Sequence, residues 1–310
     1  TKIQANASHH SALSHGHIEK LETQLQAEVQ ELLALAEKTD QADVPDGIDL
    51  PAEIRRREDR LAAMADAKTK IAARAEERYQ REKAEYDAFY NHIAHDWTDA
   101  KLTKRTEKEK TTGKNPGGKP PTAPRPGPKD SDQINLTDEE SRMMPVSGGG
   151  FEHAYNAQAA ADTETMLVVA TGLTQAPNDK EQVKPMLETL VAQNLRLGKV
   201  TGLIADTGFC SETNITACET AGITPLIAVA KENHHPNWRE RHSEPPALPE
   251  NTTPVQTMAH RLKTKAGRAL YALRKQTVEP VFGIIESVMG FRQFSLRGLT
   301  KVSGEWTLVC

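Results

Sequence analysis

No single core can run through residues 101–129, "KLTKRTEKEKTTGKNPGGKPPTAPRPGPK". The stretch holds nine Lys/Arg against two Glu, is broken throughout by Pro and Gly, and offers almost no apolar side chain. Such a composition cannot bury enough surface to offset the entropy of ordering it, so residues 101–130 are expected to be a disordered, basic linker. The chain must then fold as separate pieces on either side. The charge of the linker suits either a solubilising tether or contact with phosphates, and the residues leave both open.

On its amino-terminal side the spacing is helical. Ile18, Leu21, Leu25, Val29, Leu32 and Leu35 recur at intervals of three and four. A second series follows the turn signal "DVPDGIDLP": Ile54, Leu61, Met64, Ile71, Ala75 and Tyr79. Two amphipathic helices joined by a Pro/Gly loop predict an antiparallel hairpin over 13–100. Charged runs such as "EIRRRED" and "EERYQREKAEYD" read as its solvated faces.

Beyond the linker the pattern changes to that of an α/β domain over 131–310. "FEHAYNAQAAADTETMLVVATGLTQ" reads as two strands around a turn at 162–165, and "DKEQVKPMLETLVAQNLRLG" as a helix stopped by Gly198. A Val/Leu/Ile-rich strand then ends at Asp206, followed by a helix from about Ser211 to Thr220, the strand "ITPLIAVA", a charged Pro-rich excursion over 231–254, and a long closing segment. An acid after a buried strand stands where open α/β sheets present chemistry, although a plain turn former or helix cap explains it equally well. The first residues, "TKIQANAS", alternate like a strand that pairs with this distant domain, which makes everything between an insertion. That element order is compatible with a ribonuclease-H-like mixed sheet.

Composition closes several alternatives. Cys210, Cys218 and Cys310 show neither CxxC spacing nor an even count, so a disulfide framework and a cysteine zinc site are not expected and a reduced, cytosolic compartment fits. His9, His10, His15 and His17, and likewise His234, His235 and His242, lack a zinc-ligand frame. No run approaches ~18 apolar residues, and no membrane span or signal peptide is expected. The missing initial Met and the apolar end "EWTLVC" read as a piece of a longer protein. One block deviates from the overall net charge of −4: between Val255 and Val278 stand Arg261, Lys263, Lys265, Arg268, Arg274 and Lys275 with no acid, a candidate polyanion-facing surface.

The motifs "TKIQANAS", "AYNAQAAAD", "LIADTGF", "KENHHP" and "LYALRKQTVEPVFGIIESVMGFRQFSLRGL" together resemble the DDE transposases of bacterial insertion sequences, in the group with an insertion after the first catalytic strand. The resemblance implies a ribonuclease-H-like fold and metal-dependent cleavage and transfer of DNA strands at the ends of an insertion element. Three carboxylates in such enzymes hold a pair of divalent ions, Mg²⁺ or Mn²⁺, that assist in-line attack on a phosphodiester. It further implies a double-stranded DNA partner, a homodimer on that DNA, no membrane association, and residence in the bacterial cytoplasm with the nucleoid. Carried over residue by residue, the second acid is Asp206 and the third is Glu279, with 72 residues between them. The first acid is expected two positions upstream of Thr1, and the alternative is a truncated or transposase-derived protein that binds DNA without cutting it.

The family's Tyr, Arg, Glu, Lys signature maps onto Tyr271, Arg274 and Glu279, with one extra residue before the Glu and Glu286 where a Lys is expected. On one straight helix Tyr271, Lys275 and Glu279 share a face, which makes Lys275 at least as good a phosphate contact as Arg274. Pro280 disfavours helical geometry at Glu279 and predicts a kink or a helix boundary there. Arg268, Arg292 and Arg297 complete the candidate DNA contacts, with structural pairing as the alternative for the last two. Asp162 is the main rival acid and reads more simply as a hairpin turn former; a catalytic share for Glu286 stays open.

Overall fold

The computed structural model describes residues 1–38, 49–96, 122–146, 149–229, 243–249 and 251–310. Most of the linker, most of the turn signal at 43–51 and half of the 231–254 excursion lie outside these residues. The architecture is mixed α/β, and the chain divides into two units: Thr1–Ser11 with Thr137–Cys310, and the continuous stretch Ala12–Leu136.

The second unit is built on strand β2 (Ala12–Ser14) and two helices, α1 (His15–Lys38) and α2 (Leu50–Asp96). Ile18, Leu25, Met64, Ala67 and Ile71 are buried between the helices, the stripes their spacing predicts. Glu22 meets Lys68 and Glu28 meets Arg57, each at 2.8 Å, so the helices run antiparallel. Strand β3 (Gln133–Asn135) pairs antiparallel with β2 and caps the open end of this core with Ile134. The sequence reading assigned β3 to the α/β domain, because a three-residue strand carries too little pattern to reveal its partner.

In the first unit, β1 (Lys2–Gln4), β4 (Arg142–Pro145), β5 (Phe151–Ala161) and β6 (Val168–Thr174) form one antiparallel sheet around β5. Between β5 and β6, Asp162 Oδ2 accepts from the Thr165 amide and hydroxyl, both at 2.8 Å, and the backbone bond foremost lowers its pKa. The turn-former role is the one the geometry gives it.

Helices α3 (Val183–Ala192) and α4 (Asn194–Leu197) follow, and Gly198 ends the pair at φ +84°, a conformation that suits Gly. Next come β7 (Gly202–Ala205), α5 (Glu212–Thr220) and β8 (Thr224–Ile227), with β7 and β8 parallel to each other. A Thr253/Gln256 capping box with Pro254 in the first turn starts α6 (Pro254–Lys263), whose Met258 and Leu262 pack with Leu226 and Ile227 of β8. The rest is α7 (Lys265–Ala272), α8 (Arg274–Gly283), a π-turn at Ile284–Val288 and α9 (Leu299–Val309).

The core that matters most joins the two ends of the chain. Ile3 and Ala5 pack with Tyr155 and Ala157 of β5, Val281, Ile285, Phe294 and Trp306. The segment after the π-turn lies alongside β1: Gln4 N donates to Arg292 O at 3.1 Å, and Phe294 N donates to Gln4 O at 2.9 Å. "GFRQF" therefore works as an extra lane beside the first strand. Pro280 lies inside α8, not at a boundary. Val281 and Ile285 are buried in this core, and their packing outweighs a Pro penalty of about 3 kcal/mol.

His153 of β5 is buried, with Nε2 unpartnered among the described residues and Nδ1 3.1 Å from Ser141 Oγ. Burial, helped by the charge of His9, lowers its pKa below the usual 6.5. The unfolded chain then binds the extra proton first, so stability rises with pH through the range just below 6.5 and is lost on acidification. The thermal midpoint is expected to fall between pH 7 and pH 5, and less steeply in His153→Gln; equal slopes would remove His153 as a cause.

Candidate catalytic site

Asp206 ends β7 and caps the 3₁₀ turn at Thr207–Phe209, its Oδ1 accepting from Gly208 N at 2.8 Å. The carboxylate is otherwise open to solvent, and Oδ2 has no partner among the described residues. Capping and chemistry are therefore compatible here, because the cap uses one oxygen. Ser211 separately caps α5 through the Asn214 amide. The buried Asn214 side chain donates to Phe209 O at 2.7 Å and to Lys180 O at 2.6 Å, which ties the Asp206 turn to the loop after β6.

That loop carries Asp179, an acid the sequence reading passed over. Its Oδ1 accepts from Lys2 Nζ at 3.0 Å, Asn156 Nδ2 at 2.7 Å and Gln158 Nε2 at 2.8 Å. Burial alone would raise its pKa, but the bonds from Asn156 and Lys2 prevail and hold the carboxyl below its usual range. A side chain on Gly208 would stand 3.0 Å from Asp206 Oδ1 and 3.5 Å from Asp179 Oδ2, so the two carboxylates flank that glycine. The available signal was an acid in an Asn-Asp turn at a strand end, the same context as Asp206.

The amino end of β1 enters the same place. Thr1 N donates to Ala157 O and Thr1 Oγ1 to Glu286 Oε1, both at 2.8 Å. Glu286 sits in the π-turn, and this turn brings it to the first strand.

Glu279 is in a different setting, half exposed on α8 and paired with Arg274 at 3.1 Å. The Arg274 guanidinium also lies over the Tyr271 ring at 5.9 Å. Helix α7 stops at Ala272, and i→i+3 bonds at Leu273 and Gln276 tighten the junction before α8. The straight-helix face expected for Tyr271, Lys275 and Glu279 is thereby interrupted. Arg274, not Lys275, joins Tyr271 to Glu279.

A family model described as Transposase DDE domain matches residues 87–310. The chain belongs to the DDE transposase family. No curated protein and no solved structure matches the chain. The match spans every side chain of the site except Thr1 and Lys2.

The basic residues of this transposase divide by how much of each is already engaged. Lys275 is exposed, with no partner among the described residues. Arg268 donates to Lys263 O and, at 3.2 Å, to Ser243 O. Arg292 Nε donates to Glu286 O at 3.0 Å, and Arg297 Nε to Asn6 O at 2.9 Å. The last two hold the motif in place through backbone carbonyls.

Among the described residues no three His, Cys, Asp or Glu side chains gather in a way that could hold a metal ion. Asp206 and Glu286 nonetheless each keep a carboxylate oxygen without a protein partner among those residues. Mg²⁺ takes few protein carboxylates and keeps several waters, so open oxygen donors of this type suit it. All three cysteines are free thiols, and no described helix is long and apolar enough to cross a membrane.

Proposed function

We propose that this transposase cleaves and transfers DNA strands at the ends of an insertion element, using Mg²⁺ or Mn²⁺. The observation that carries the reading is the open carboxylate of Asp206 at the end of β7, whose turn Asn214 ties to the Asp179 loop beside β1. An open carboxylate at a strand end is the type of metal ligand that in-line phosphodiester chemistry needs. The β5–β6 hairpin, β1 at its side and the parallel β7–β8 pair support a ribonuclease-H-like sheet. On that reading 1–12 is the first catalytic strand, 13–100 a helical hairpin insertion, 101–130 a basic linker and 131–310 the remainder of the catalytic domain.

Asp206 and Glu279 would hold the metal, with a further Asp supplied upstream of Thr1. Bound there, the ions activate the attacking oxygen and stabilise the leaving one. Arg274 and Tyr271 would set Glu279 in place and meet the DNA backbone with Lys275, Arg268, Arg292 and Arg297. A homodimer on double-stranded DNA, in the cytoplasm with the nucleoid, completes the reading. A second assignment makes Glu286 the third acid, favoured by its bond from Thr1.

The test is nicking and strand transfer on duplexes carrying the element ends, with a chain extended upstream, in Mg²⁺ and in Mn²⁺. Glu279→Gln is expected to lose more than about 100-fold in rate, because even groups outside the metal ligands are worth ~10–100-fold. Glu286→Gln is expected to stay within about tenfold of the unaltered chain, the lower end of that range. The reverse order would move the third acid to Glu286. Normal cutting by both variants would sink the metal-site assignment. Binding of the same duplexes should weaken steeply with added salt, as phosphate contacts release counterions.

A further inference from the structure

We propose that Asp179 is a positioning residue of this site, holding the Lys2 ammonium off Asp206 so that this carboxylate remains available to a divalent cation. The inference rests on the metal-site reading above. Lys2 brings a positive charge up to Asp179, whose Oδ2 flanks Gly208 together with Asp206 Oδ1. Its side chain is only 14% exposed, and its ion pair, at 3.0 Å, is with Asp179 Oδ1. A buried ammonium deprived of that partner would turn to the remaining carboxylates, since an uncompensated buried charge is costly.

The geometry around Asp179 is asymmetric in a way that fits this task. All three of its donors, Lys2, Asn156 and Gln158, fall on Oδ1. Oδ2 has no hydrogen-bond partner among the described residues and faces the Gly208 side, where Asp206 Oδ1 also lies. The β1–β5 register sets Lys2 opposite Asn156, so the two donors from different strands reach the same oxygen by pairing alone. Asn214 then fixes the Asp179 loop to the Asp206 turn through Lys180 O and Phe209 O. The positive charge is held by an acid locked to the turn it must not neutralise. A purely architectural Asp179 would need the shape of this network and not its charge, and the two roles separate on that point.

Mn²⁺ binding, read from the electron paramagnetic resonance signal of the free ion, measures the site without turnover. The unaltered chain, extended upstream of Thr1 as for the nicking test, is expected to bind Mn²⁺ saturably. Asp179→Asn keeps the size of the side chain and should raise the half-saturating Mn²⁺ about tenfold, the scale of an outer partner of a metal site, with the same shift in the Mg²⁺ needed for nicking. Lys2→Met should bind at least as tightly as the unaltered chain. The double variant Lys2→Met/Asp179→Asn should return to within about twofold of the unaltered value, because the competing cation is gone. Unchanged binding in Asp179→Asn, or a double variant as weak as that single variant, overturns the inference while leaving the metal-site reading standing. If Asp179→Asn does not fold, Lys2→Met decides alone, and weaker binding there overturns the proposal. Absence of saturable Mn²⁺ binding by the unaltered chain overturns the metal-site reading itself, and this inference with it.

Discussion

Asp206→Asn is expected to cost more than about 100-fold in DNA nicking, since groups that only orient metal ligands are already worth ~10–100-fold. The substitution is informative because it is mild elsewhere. The structural task of Asp206 is to accept the Gly208 amide through Oδ1 at 2.8 Å, and Asn performs such capping about as well as Asp. The thermal midpoint should therefore barely move, and duplex binding should persist. Loss of cutting together with loss of fold would assign Asp206 to the turn and not to chemistry. Cutting at the ordinary rate by a folded variant would falsify the catalytic assignment outright.

The largest stability effect is expected at Trp306. Its ring is 1% exposed and stacks on Phe282 and Phe291 at centroid distances of 6.2 and 6.4 Å. Its Nε1 donates to the backbone oxygen of Gln158 at 2.9 Å. Trp306→Ala removes the packing, about 3–5 kcal/mol, and leaves a buried carbonyl without its donor. Against a domain stability of roughly 5–15 kcal/mol, much of the folded population is forfeit. Trp306→Phe keeps most of the volume and should cost about 1–3 kcal/mol, chiefly the unsatisfied carbonyl. Urea midpoints read at the tryptophan-independent far-UV signal would decide, and a Trp306→Phe variant as stable as the unaltered chain would count against the hydrogen bond. Gln158 also donates its side chain to Asp179, so the alanine variant should lose metal affinity before it loses all structure.

Much of the fold was legible because period and punctuation agree locally. The two-turn spacing of Ile18, Leu25, Met64 and Ile71 led directly to the buried seam of the second unit. The apolar run ending at Asp206 is a strand, and Ser211 starts the helix it was expected to start. What escaped depends on distance in sequence. Nothing local announces that Asp179 and Lys2 meet, because the register that joins them is set by β5. Nor does the pattern of "GFRQF" reveal that its backbone pairs with Gln4; read alone, its arginines suggested only phosphate contacts. At Pro280 local propensity pointed the wrong way, as the buried Val281 and Ile285 carry the helix through it. The π-turn that presents Glu286 has no sequence signature at all, and for that reason the choice between Glu279 and Glu286 needs the rate measurements.

The threading of β1 between β5 and the segment at Arg292–Phe294 also sets an order of events during synthesis. Lys2 leaves the ribosome more than 150 residues ahead of its partner Asn156, and the Gln4 partners, Arg292 and Phe294, come later still. Pairings so remote close slowly, whereas the stretch from Ala12 to Leu136 holds its own core and can fold first. The strand β1 must therefore wait, and its place in the sheet is complete only once residues as far as Phe294 have emerged. A nascent chain halted before Phe294 would carry Asp206 and still have no assembled site.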